Sequence, residues 1–207
     1  MTKLAWSGTL LGVQPRIDLM RSFDIRQHTY LGYLLLIEGT IADESRRFTV
    51  RVGPGAMVKH RFHAGMKISG AAELAADPER EVAELYKVAG LKVIAAADVE
   101  PAPPPWHGVP PTLPVYRERG HRRLDARTYE AQCLTCKWAC CMAVTMIIDQ
   151  WNPQKRRYRF ETFCYGPKSC KLYRAGPTRK VPGRNGMTWE EEDWVDEEAT
   201  AGRGQDA

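Results

Sequence analysis

The sequence predicts a mainly β protein: a small five-stranded barrel over residues 1–99, then a β-hairpin module over residues 128–183. Three observations predict it. The first hundred residues hold five strand-like segments and one short helical stretch. All six cysteines lie between Cys133 and Cys170, in pairs that flank two more strand candidates. Seven of the 14 prolines lie between Pro101 and Pro114, which separates the two regions.

The elements follow in order. Ser7–Val13 reads as a strand that can continue past Pro15, and Tyr30–Ile41 as a second. Ala42–Ser45 supplies a polar turn into Arg46–Val52, where Phe48, Val50 and Val52 share one face and Arg47, Thr49 and Arg51 the other. That period of two marks a half-buried strand. A short helix is expected over Pro54–Phe62, a fourth strand over Met66–Leu74, and a fifth over Val82–Ile94, broken near Gly90. Five strands with a short helix between the third and fourth resemble the OB-fold, a five-stranded Greek-key barrel. The fragment RFHAGMKISGAAEL followed by LYKVAGLKVI looks like the fourth-strand entry and closing strand of such barrels.

Residues 100–127 read as a proline-rich linker, a semi-rigid spacer or a strap across a surface. The first cysteine pair is Cys133-x2-Cys136. Strand candidates Met142–Trp151 and Arg156–Cys164 follow, joined by the turn residues NPQK. The second pair is Cys164-x5-Cys170. A hairpin with a cysteine pair at each end brings four thiolates together, the tetrahedral set that zinc favours. The segment resembles a zinc ribbon, with five residues where ribbons carry two or four inside the second pair. The expected ligands are Cys133, Cys136, Cys164 and Cys170, around a Zn2+ that stabilises the fold and does no chemistry. Two alternatives stay open. Cys133-x2-Cys136-x3-Cys140 with Cys164 or Cys170 could hold a [4Fe-4S] cluster, or the cysteines are free or redox-active. Cys140 and Cys141 are otherwise small buried residues, and His121 is a reserve ligand.

Charge is unevenly placed. The net charge of +5 divides into +1 over residues 1–100, +11 over 101–184 and −7 over 185–207. A basic module implies an anionic partner. Arg156, Arg157, Tyr158, Arg159, Lys168, Lys171, Arg174 and Trp151 combine cations for phosphates with aromatic faces for bases, the components of a single-strand nucleic-acid surface. Residues 184–207 read as an acidic disordered tail that competes for that surface or merely solubilises the chain. The pairing of an OB-like barrel with a ribbon is similar to that in nucleic-acid machines such as an exosome cap subunit. It is also similar, with the order reversed, to an acyl-CoA-associated OB-fold family. Alternative functions are a protein–protein adaptor, with a partner on the barrel, and an iron–sulfur redox protein. No nucleophile elbow, P-loop, H-E-x-x-H or dinucleotide fingerprint is present in the sequence, so no catalytic constellation is legible. With no apolar run near 20 residues and no signal-peptide pattern, the expectation is a cytoplasmic protein without membrane contact.

Overall fold

The computed structural model describes residues 3–22, 26–98, 104–149 and 151–203. Within them the chain is mainly β. The strands of the first half are β1 (Leu4–Arg21), β2 (Arg26–Ile41), β3 (Glu44–Val52), β4 (Lys67–Leu74) and β5 (Leu85–Ala95). Helix α1 (Pro54–His60) lies between β3 and β4. Pro54 starts it with a preset φ, and Arg61 ends it in the left-handed region at φ 51°.

The pairings close a five-strand ring. β1 pairs with β2, β2 with β3, β3 in parallel with β5, β5 with β4, and β4 with β1. Alternation along β3 puts Phe48, Val50 and Val52 inside the ring. The run Tyr33–Ile37 is buried throughout because both of its faces are covered. Tyr33, Leu35 and Ile37 join the central core, while Leu34 and Leu36 lie outside that cluster. On their side stands the 78–84 segment, together with Leu134 of the cysteine module.

β1 is longer than its sequence suggests, and its length joins the two halves. It passes through Pro15, which loses a donor but keeps a carbonyl acceptor, and shifts register between Arg16 and Ile17. Its last residues pair in parallel with β7 (Ala139–Ile147), Asp18 opposite Ala143 and Arg21 opposite Met146. β7 pairs with β8 (Arg156–Cys164) as a hairpin. The two-residue β6 (Arg122–Arg123) adds to β8. Cys140, Met142, Val144, Phe163 and Tyr165 from this region share one core with Ile17, Leu35 and Ile68 of the ring. The expected division into a barrel and a separate module therefore takes the form of two halves with a common sheet and core.

The proline-rich region lies across that junction. It carries α2 (Leu113–Arg119), whose Tyr116 is fully buried and donates to the Lys137 carbonyl at 2.6 Å. Tyr33 of the ring donates to the Pro111 carbonyl at 2.8 Å, and His107 lies 2.9 Å from Thr135. Pro101 and its neighbours up to residue 103 lie outside the described residues. A three-residue helical turn, α3 (Ala126–Thr128), capped by Asp125, runs into a π-helical stretch over Tyr129–Cys133.

Over its described residues, 184–203, the acidic segment forms secondary structure where a disordered tail is expected. β9 (Arg179–Pro182) pairs with β10 (Thr188–Glu191), and α4 (Asp193–Ala199) follows. The reason is charge matched over long sequence distances. Arg21 meets Glu191 at 2.6 Å and Glu161 at 3.1 Å as ion pairs away from hydrogen-bond alignment, all three side chains at most 4% exposed. Arg26 reaches the same Glu191 at 2.6 Å, and buried Arg123 pairs with Asp196 at 2.9 Å and with Asp193. No helix among the described residues is long and apolar enough to cross a membrane.

Candidate metal centre and basic surface

The two cysteine pairs meet at one end of the β7–β8 hairpin. Ala139 at the start of β7 stands opposite Cys164 at the end of β8. The first pair closes a turn, with the Cys136 amide donating to the Cys133 carbonyl at 3.0 Å. In the second, Gly166-Pro167 turns the chain and the Cys170 amide donates to the Pro167 carbonyl at 3.2 Å. Cys133, Cys136 and Cys164 pack into one small cluster with Leu124, Tyr129 and Ala139.

Their electrostatics are those of crowded thiols. Burial pushes Cys133 up to about 12, and the facing Cys136, Cys164 and Cys170 push it the same way. Burial raises Cys136 to about 11, against amides of Trp138, Trp106 and Ala139 that favour its thiolate. Cys164 is raised by burial, while Arg122 and the Gly166 amide, 3.4 Å from its Sγ, favour its thiolate. Buried thiols at Cys133, Cys136 and Cys164 that burial and neighbouring thiols keep protonated, with amides already aimed at two sulfurs, are what a dication would relieve. As the side chains stand, no three His, Cys, Asp or Glu among the described residues are arranged to hold a metal ion. The donor set fits zinc in its chemistry, and ligation requires the thiols to draw closer.

The first pair is also braced from the ring, which sequence reasoning missed. Gln14 on β1 is 3% exposed, and its Nε2 donates to the carbonyls of Cys133 at 3.0 Å and Leu134 at 2.9 Å. Tyr129 donates to Gln14 Oε1 at 2.8 Å. Gly12, two residues earlier, lies so near Thr135 that a Cβ would stand 2.5 Å from the Thr135 carbonyl oxygen. On the second pair, Arg203 donates to the carbonyls of Gly166 at 2.5 Å and Cys164 at 3.1 Å. A glutamine in an apolar strand was the one available signal.

The surplus candidates separate clearly. Cys140 is fully buried in the central core, where its Sγ donates to the Pro15 carbonyl at 3.2 Å. Cys141 lines a cleft described below. His121 is a core ring, 4.7 Å from Phe163 and 4.5 Å from His28 between ring centroids.

The expected basic surface divides into two. Trp151, Arg156 and Arg157 lie at the turn end of the hairpin, and Lys168, Lys171 and Arg174 at the cysteine end. The nine residues of β8 between them span about 26 Å at 3.3 Å per residue. Within the strand, Arg159 is taken up by Glu161 and the Lys180 carbonyl, and Tyr158 lies under the Arg80 guanidinium at 4.0 Å. On the ring, Arg47 pairs with Glu38 and Arg51 with Glu81. Trp151 is 84% exposed, and Lys155, Arg156 and Arg157 beside it are exposed too. The acidic segment lies elsewhere, on Arg21, Arg26 and Arg123. Comparison with known proteins adds no kinship to this geometry: no family model, no curated protein and no solved structure matches the chain.

Proposed function

We propose that the chain is a single-stranded nucleic-acid-binding protein, an OB-like ring joined to a ribbon-like hairpin whose base is held by one zinc ion. The OB-like reading is supported by the ring order β1-β2-β3-β5-β4-β1 with α1 between β3 and β4. Cys133, Cys136, Cys164 and Cys170 would hold the zinc, which supplies folding energy and leaves no open position for catalysis. The burial of Cys140 in the core favours this set over an iron–sulfur cluster that needs Cys140 as a ligand. Six free thiols suit a reducing, cytoplasmic compartment.

One observation carries the nucleic-acid reading. The hairpin turn presents an almost fully exposed Trp151 among Lys155, Arg156 and Arg157, and no acidic side chain is paired to those cations among the described residues. An aromatic face stacks on a base while cations meet the flanking phosphates. The test is fluorescence anisotropy with a labelled single-stranded oligonucleotide across a salt series. Each phosphate contact contributes about −0.7 to the slope of log K against log salt. Arg156→Ala with Arg157→Ala should flatten the slope by roughly 1.4. Trp151→Ala should weaken binding by about 1–3 kcal/mol at every salt concentration. No binding at about 50 mM salt, or binding indifferent to salt and to these variants, overturns the reading in favour of a protein adaptor.

A further inference from the structure

A cleft of about 380 Å³ opens on the outer side of β2, away from the hairpin turn and not used by the function above. Leu34 and Leu36 of β2 line it, as do Val82 and Ala83 of the segment before β5 and Leu134 of the first cysteine pair. Phe160 of β8 lines it as well and is 45% exposed. Cys141 contributes its thiol, which burial pushes up to about 12, so it lines the cleft as a neutral, weakly polar group.

The polar side chains in its walls already have partners inside the protein. Gln14 is committed to the cysteine-pair carbonyls and to Tyr129. Thr49 donates to the Val82 carbonyl at 3.2 Å and accepts from the Glu84 amide at 2.9 Å. Glu81 is held by Arg16 and Arg51, and Glu84 by Arg46. A ligand here would meet mainly apolar contact, because these polar side chains are already committed within the protein. The two charged residues of the lining, Glu81 and Glu84, are already neutralised by Arg16, Arg51 and Arg46, so the walls hold no uncompensated charge to attract an ionic ligand.

Ligand sites of this kind are concave, mostly apolar and about 300–1,000 Å³. An apolar cavity of roughly 150 Å³ is enough to take up benzene, so this cleft has room for two to three aromatic rings. We propose that it binds a small, uncharged, apolar molecule of about that bulk. Because Leu134 follows Cys133, the occupant would also touch the base of the candidate metal centre.

The probe is the neutral dye N-phenyl-1-naphthylamine, titrated into full-length protein as purified. Saturable one-to-one binding with a blue-shifted emission is expected, and the bound dye should slow alkylation of Cys141 by N-ethylmaleimide, read by peptide mass spectrometry. Cys141→Phe, which fills the cleft, should weaken the dye by about tenfold or more. Absence of saturable binding, or binding that leaves Cys141 alkylation unchanged, overturns the proposal. So does unchanged affinity in a folded Cys141→Phe variant. Should that variant not fold, the protection measurement on the unaltered protein decides alone. Oligonucleotide binding is scored separately, so failure of either assignment leaves the other standing.

Discussion

Alternation along β7 turns Cys140 into the core and leaves Cys141 lining the cleft, although the two are adjacent in sequence. Their environments give a sharp expectation. Replacing Cys133, Cys136, Cys164 or Cys170 by Ser should cut bound zinc from about one per chain to a small fraction and lower the unfolding temperature. Cys140→Ala should keep the zinc and cost about 1–2 kcal/mol for a small packing defect. Elemental analysis and a visible spectrum on the same samples check both. Iron with a brown absorbance, or zinc lost from Cys140→Ala, would sink the four-ligand assignment. The spacing of cysteines was legible in the sequence, because a hairpin with pairs at its ends has few ways to arrange them. Gln14 and Arg203 were not, because nothing local says which carbonyls a distant amide or guanidinium will reach.

Among the elements, β3 was the most legible, because strict alternation of Phe48, Val50 and Val52 with polar residues determines which face is buried. The β7–β8 hairpin was readable for a similar reason, with turn residues between two β-rich runs. For β1 the sequence marks Ser7–Val13 and allows a run past Pro15, but its reach to Arg21 is not legible, because its partner β7 lies more than a hundred residues away. Residues 184–207 read as disordered from sequence because their acidic composition hides single inward positions: among the described ones, Glu191 is 1% exposed and Val195 5%. Arg123 shows what holds them. Its guanidinium is 1% exposed and reaches Asp193, Asp196 and the Glu191 carbonyl. Arg123→Leu strands Asp196 and should cost about 3 kcal/mol, with amide exchange in α4 rising first. Asp193→Asn, at a carboxylate 86% exposed, should cost well under about 1 kcal/mol. Equal effects in thermal unfolding would mean that the segment is not held through Arg123.

For the molecule as a whole, acid is the revealing stress. Burial lowers His28 to about 4 and holds His121 well below its ordinary value, with Arg26 and Arg21 pushing both the same way. The unfolded chain takes up these protons near pH 6.5, while the folded chain resists them. Stability is therefore full above pH 6.5 and lost as pH falls toward 4. At about 1.4 kcal/mol per unit for each group, the loss across that window should reach a few kcal/mol. His121→Phe keeps the ring contact with Phe163 and should shallow the decline in urea unfolding. A slope unchanged in that variant would remove His121 from the account.

The parallel pairing of β1 with β7 joins Asp18 to Ala143 across 125 positions of sequence. The two halves contribute to one buried core, Ile17 and Leu19 from one and Met142 and Val144 from the other. Expressed as two separate chains, residues 1–98 and 104–207, the halves should behave as an obligate heterodimer. Their melting temperature, unlike that of the intact protein, should climb with total protein concentration.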